Sequence, residues 1–261
     1  MRNTYAVPLA SLLSLVVTCQ INAADWGSLK GKFLVEGSTG DPAPINVNKD
    51  TEFCGKHDLV DETIVVGDNG ELANVIVYIY TKRGQSLDVH PDYEATATEP
   101  VVLDNKGCRF DPHVIAVRTN QPLEIRNDDS GIGHNTNASF VANPGFNEMV
   151  TNDSPITKTL QKAEPVPAPV ACNVHPWMKA YAVVREDPYV AISDENGEFT
   201  IENIPAGQHE FIFWHEAKGN MRDLKLKDGK TDRKGRAKLK IAPGETLDLG
   251  EIKVPAKALG K

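Results

Sequence analysis

Three metal-binding side chains stand on one short run, Cys172-Asn173-Val174-His175-Pro176-Trp177-Met178. Thiolate and thioether are soft donors suited to Cu(I), and imidazole is acceptable to both oxidation states of copper. A second imidazole must come from elsewhere. The segment Asn127-Asp128-Asp129-Ser130-Gly131-Ile132-Gly133-His134-Asn135 supplies His134 just after an alternating strand. Two imidazoles and a thiolate in a trigonal plane, with a weak axial methionine, form a site for one-electron exchange. Taken alone, Cys172 reads more readily as a packed core cysteine than as a ligand. The methionine at the matching spacing and the separate His-Asn segment favour the metal.

The other histidines carry less. His57, His90 and His113 are scattered and read as surface or satisfied structural residues. His215, within Trp214-His215-Glu216, sits on a strand and could serve a second site, but no spaced partner supports one. Met149 reads as loop packing. There is no H-x-H pair of the kind a multi-copper centre needs, and no G-x-S-x-G, H-E-x-x-H or phosphate-cradling glycine loop. An enzyme is not expected.

The elements that must position these donors follow a period of two. Leu29, Phe33 and Val35 alternate with polar neighbours, as do Leu123 and Ile125, Phe199 and Ile201, Leu224 and Leu226, and Leu239 and Ile241. Such alternation predicts half-buried antiparallel strands. Turn signals separate them: Asp68-Asn69-Gly70, Asn105-Lys106-Gly107, Asn196-Gly197 and Asp228-Gly229. No 3.6-residue period is sustained, so the expected class is all-β, built as sandwiches or barrels. Prolines 165, 167 and 169 predict a short strand before Cys172.

The 261 residues carry Lys+Arg 28 against Asp+Glu 36, a net charge of −8. That balance argues against nucleic acid as the main partner. One stretch runs the other way: Lys218 to Lys240 holds ten Lys or Arg and three Asp. It reads as a lysine-guarded hairpin edge, or as a docking surface for an acidic partner or polyanionic wall polymer.

Met1-Arg2, the apolar run Ala6 to Val17 and the small residues before Asp25 predict a signal peptide over 1–24, and hence a periplasmic or secreted protein. The rival reading is a lipid anchor at Cys19. No stretch reaches the roughly 20 apolar residues of a transmembrane helix. With Cys19 removed, Cys54, Cys108 and Cys172 remain. An oxidising compartment favours one pair and one leftover thiol. The similar turn-like settings of Cys54 and Cys108 point to that pair, and leave Cys172 for chemistry.

The ligand run C-x-x-H-P-x-M resembles the short loop of the cupredoxins of amicyanin and plastocyanin type. The Asn127…His134-Asn135 segment is similar to their first-ligand segment. Cys108-Arg109-Phe110-Asp111-Pro112 with His113 to Val117 resembles their entry strand, and Ala180 to Arg185 their closing strand. The resemblance covers about 90 residues and implies a Greek-key β-sandwich holding one type 1 copper. It implies His134, Cys172 and His175 as equatorial ligands, Met178 as the axial one, and Asn135 as the tie between the two ligand segments. It further implies that His175 lies toward the surface, with Pro176 and Trp177 as an apolar docking rim.

Asp194-Glu195-Asn196-Gly197-Glu198-Phe199, followed by Pro205-Ala206-Gly207, resembles a second family, the prealbumin-like carboxypeptidase regulatory-like β-sandwich. Leu29 to Val35 and Asn74 to Tyr80 match its upstream strands. The expected organisation is a discontinuous host sandwich, 25–95 and 187–261, carrying a cupredoxin domain at 96–186; three consecutive domains are the alternative. The function implied is a blue-copper electron carrier that docks briefly with a redox partner protein. Its competitors are a non-redox module binding carbohydrate or protein, and copper storage or delivery.

Overall fold

The computed structural model describes residues 25–82, 84–227 and 229–260. The expected signal segment and Cys19 lie outside the described residues. The chain is all-β. It opens with β1 (Trp26–Glu36), a single helical turn α1 (Thr51–Cys54) and β2 (Ile76–Ile79). Nine strands follow: β3 (Val101–Lys106), β4 (Arg109–Asp111), β5 (Val114–Arg118), β6 (Pro122–Asn127), β7 (His134–Ala138), β8 (Phe146–Val150), β9 (Ile156–Thr159), β10 (Ala168–Ala171) and β11 (Lys179–Arg185). The last third gives β12 (Val190–Ile192), β13 (Glu198–Pro205), β14 (Gly207–His215) and β15 (Gly219–Asn220). It ends with β16 (Lys225–Leu226), β17 (Gly229–Lys230), β18 (Arg236–Ile241) and β19 (Thr246–Pro255).

Four main sheets stack in succession. The first has the order β13-β1-β19, and the second β12-β2-β14-β15 with β18 also on β14. Leu29 and Phe33 of β1, Val77 and Ile79 of β2, and Phe211 and Phe213 of β14 fill the core between them. The third sheet, β5-β11-β10-β7-β8, packs on the fourth, β4-β3-β6-β9, through Leu103, Ile115, Val117, Leu123, Ile125 and Ala182. The two pairs meet back to back: Ile76, Tyr78, Ile212 and Trp214 on one side, Val114 and Val183 on the other. This is why β2 is buried at every position. Its odd and even side chains fill two different cores, and a strand covered on both faces loses the polar half of its alternation.

The expectation of antiparallel strands holds for the hairpins and for most pairs between distant strands, such as β1 with β13, β2 with β14 and β6 with β9, and fails for three pairs. β1 runs parallel to β19, β3 to β6, and β5 to β11. These partners are not neighbours along the chain and are joined by connections that cross between sheets. A period of two reports one buried face and is silent on strand direction. The Leu224 to Leu226 stretch, expected as a strand, contributes only the two-residue β16. No helix among the described residues is long and apolar enough to cross a membrane.

Candidate metal centre

The short strand before Cys172 is present: β10 has four residues and pairs with β7 on one side and β11 on the other. Cys172 follows it directly, His134 opens β7, and Met178 immediately precedes β11. The run between Cys172 and Met178 folds back on itself. The Met178 N–H donates to the His175 carbonyl at 2.9 Å, and the Cys172 N–H to the Met178 carbonyl at 3.2 Å. Adjacent strands thus bring the two ligand segments together. Ligand atoms of His134, Cys172 and His175 all lie within 4.8 Å of one another. His134 and His175 are fully buried, and Cys172 and Met178 are 2% exposed. Met178 packs in the same core cluster as Cys172.

Asn135 ties the segments. Its Oδ1 accepts from the N–H of Asn173 at 2.7 Å, the N–H of Val174 at 3.1 Å and the Cys172 thiol at 3.4 Å. The backbone N–H of His175 in turn donates to Cys172 Sγ at 3.4 Å.

Both imidazoles are gripped from outside by a carboxylate. His134 Nε2 lies 2.9 Å from Asp129 Oδ2, and His175 Nε2 lies 2.7 Å from Asp50 Oδ2. A proton on each Nε2 leaves both Nδ1 atoms as lone-pair donors. His175 Nδ1 faces Cys172 Sγ at 3.8 Å. His134 Nδ1 is buried without a hydrogen-bond partner among the described residues. A buried ring nitrogen left unpaired is costly, and a cation between the three donors would satisfy it. Thiolate with two imidazoles fits copper by donor type.

Charge follows the same geometry. Burial pushes the Cys172 thiol up, yet the facing His134 imidazole and the backbone groups of His175, Asn135 and Val174 hold it below the ordinary thiol range. Burial lowers His134, but the Asp129 carboxylate and the Cys172 sulfur carry it above its usual value. His175 is depressed, chiefly by burial. Burial raises Asp129, and its bonds to His134, Cys108 and Gly107 outweigh this and keep the carboxyl low.

Cys54 and Cys108 form a disulfide, with Cα atoms 5.6 Å apart, and Cys172 is left free. A second cluster of Cys108, Asp129 and His134 therefore has no thiolate to offer. Cys108 instead joins both arms of the site. With Gly107 it forms the two-residue turn between β3 and β4, both residues at positive φ. The N–H groups of this turn donate to the two oxygens of Asp129 at 2.6 and 2.8 Å. The Cys108 carbonyl accepts from Trp177 Nε1 at 3.1 Å, and its sulfur fixes Cys54, at the end of α1.

The docking rim is where the structure departs from the sequence reading. His175 is covered rather than at the surface, because Asp50 and α1 close over it. Trp177 is half-buried and packs on the cluster of Cys54, Leu59 and Cys108; Pro176 alone stays exposed. Met149 is 56% exposed on β8, not packed in a loop. His215 is buried on β14 in no metal-binding group among the described residues. His113 is partly buried and paired with Glu216 at 2.5 Å, in keeping with the structural half of its reading. Asp129 and Asp50 went unrecognised as site residues in the sequence. Asp129 sits inside the quoted His134 segment, where a carboxylate five residues before a candidate ligand is a weak signal. Asp50 is 125 residues from His175 and gives none.

No family model matches the chain, and no curated protein matches it. Solved structures similar to it include a copper-containing nitrite reductase from Thermus scotoductus SA-01, at 19% identity and a TM-score of 0.31. That match covers 41% of this chain and 25% of the reductase, so the chain spans about a quarter of that protein. A purple cupredoxin from Nitrosopumilus maritimus is 17% identical with a TM-score of 0.27, over 33% of this chain and 97% of its own. A reduced Cu(I) form of an amicyanin mutant is 17% identical with a TM-score of 0.30, over 41% and 97%.

Proposed function

We propose that this chain is an exported type 1 copper protein that carries electrons, with His134, Cys172 and His175 as the equatorial donors and Met178 as the axial one. The observation that carries the reading is the convergence of three donors within 4.8 Å, each imidazole held on a carboxylate by its outer nitrogen. Copper bound there supplies a one-electron couple. The chain's part is to keep the donors fixed in both oxidation states, so that little rearrangement opposes transfer. Asn135 does this by clamping the ligand loop through two backbone N–H groups. Asp129 holds His134 and is itself held by the Gly107–Cys108 turn. Burial of all four donors excludes water. The lowered Cys172 thiol eases formation of the thiolate that metal binding requires. The disulfide agrees with an oxidising compartment. The strands from 101 to 185 form the copper-binding sandwich, and those on either side form its host.

The deciding experiment adds Cu(II) to the purified protein and records visible and EPR spectra, with Cys172→Ser as control. An intense thiolate-to-copper band with narrow hyperfine splitting, absent in C172S, is expected. A colourless wild-type protein would overturn the reading.

One observation favours a binding role for the host as well. Lys218, Arg222, Lys225, Lys253 and Lys257 surround a cavity of about 710 Å³ whose wall also includes Met221, Leu224 and Pro255. Only Glu36 and Asp223 oppose these cations there. Salt-sensitive retention on an anionic polysaccharide column, lost on charge reversal of Lys253 and Lys257, would support it. Passage without retention would leave the copper site as the sole function.

A further inference from the structure

We infer that Asp50 is a positioning residue for His175, and that residues 45–59 form a cap which closes the edge of the site where that ligand would otherwise meet solvent. The inference rests on the copper reading and adds a determinant that lies outside the ligand sandwich.

The cap lies within the connection between β1 and β2. Within Cys172 to Met178 the Trp177 ring packs on one side of the His175 ring, while Asn173 and Pro176 are exposed. Further cover comes from α1. Asp50 stands at the N-terminal end of that turn in the left-handed conformation, with φ 43° and ψ 44°. Its carbonyl accepts from the N–H groups of Phe53 and Cys54. Its side chain reaches across to His175 Nε2 at 2.7 Å. A chain of contacts ties the turn to the ligand. Cys54 is bonded to Cys108, Trp177 donates to the Cys108 carbonyl, and the Trp177 ring lies 5.2 Å from the His175 ring. Ile45, Val47 and Phe53 pack around the disulfide and so extend the cap.

The chemistry follows from the bond. An Nε2–H given to Asp50 sets the tautomer and aims Nδ1 at Cys172 Sγ, 3.8 Å away. A carboxylate on the far nitrogen makes the imidazole a stronger donor and adds negative charge beside the metal. Both effects favour Cu(II) over Cu(I). The bond also holds the ring against swinging away from the metal. Asp50 therefore lowers the reduction potential and slows copper loss.

The test compares three variants of the whole protein after copper loading. Asp50→Asn keeps the size and tolerates the left-handed backbone; Asp50→Gly removes the side chain and tolerates it equally. Glu52→Gln removes an exposed charge two residues away and controls for general electrostatics. Circular dichroism and thiol counting establish that fold and disulfide are intact. D50N is expected to shift the Cu(II)/Cu(I) affinity ratio about tenfold toward Cu(I), a rise of ~59 mV in potential. D50G is expected to speed copper removal by a chelator roughly 10–100-fold. E52Q should match wild type in both. If wild type shows the thiolate band and both Asp50 variants keep its potential and exchange rate, the inference falls and the copper reading stands. Equal shifts in E52Q and D50N would also overturn it. A wild type without the band removes both.

Discussion

At the scale of single residues, the site is a set of donors each fixed from behind. Asp129 is the clearest case, since its carboxylate is nearly inaccessible and takes three hydrogen bonds, two from the Gly107–Cys108 turn and one from His134. Asp129→Asn keeps the shape, removes the charge, and puts an amide where an acceptor is needed. Copper affinity should fall about 10–100-fold, as measured by competition with a chelator of known strength, while C172S should abolish the thiolate band outright. The cluster of Cys172, His175 and Met178 stood out in the sequence because a thiol, an imidazole and a thioether on one run have few joint structural explanations, and the structure brings His134 beside Cys172 and His175. Their supports were less so. Asp129 and Asp50 act through geometry that no local pattern encodes, and the burial of His175 depends on a segment placed more than a hundred residues earlier.

At the scale of elements, alternation located most strands but could not assign their partners. Leu29 and Phe33 alternate in the same way whether the neighbour runs parallel, as β19 does, or antiparallel, as β13 does. Turn chemistry was more informative. The Asn196-Gly197 signal is a turn with Gly197 at φ +73°, and a Cβ there would stand 2.4 Å from the Phe33 carbonyl oxygen. Phe33 N–H also donates to the Gly197 carbonyl at 2.8 Å. The turn is thus pressed against β1 and cannot move aside. Gly197→Ala should destabilise the protein by at least about 1–3 kcal/mol, read as a lower urea midpoint with an unchanged slope. Its copper spectrum should be unaltered, because the turn belongs to the first two sheets and not to the ligand sheet.

At the scale of the whole molecule, the back-to-back contact of the second and third sheets makes one body of what the sequence reads as separate segments. Its rim holds His215, pushed down to about 4 by burial and then by the nearby His113, with its Nε2 buried and unpaired among the described residues. An unfolded histidine titrates near 6.5, so between pH 6.5 and 4 the unfolded chain binds the extra proton. Stability tied to His215 is therefore present above pH 6.5 and lost as the pH falls toward 4, by about 3 kcal/mol. Urea denaturation at pH 7 and pH 4.5 should show this loss, and His215→Asn should remove that part of it. The disulfide has a consequence of a different kind, for the order in which the chain is made. Cys54 and Cys108 are consecutive cysteines, and Cys172 leaves the ribosome after both. A chain that oxidises as it emerges can close the cap's bond before the ligand thiol exists. Synthesis order then keeps Cys172 from pairing with either Cys54 or Cys108, and so leaves its thiol free.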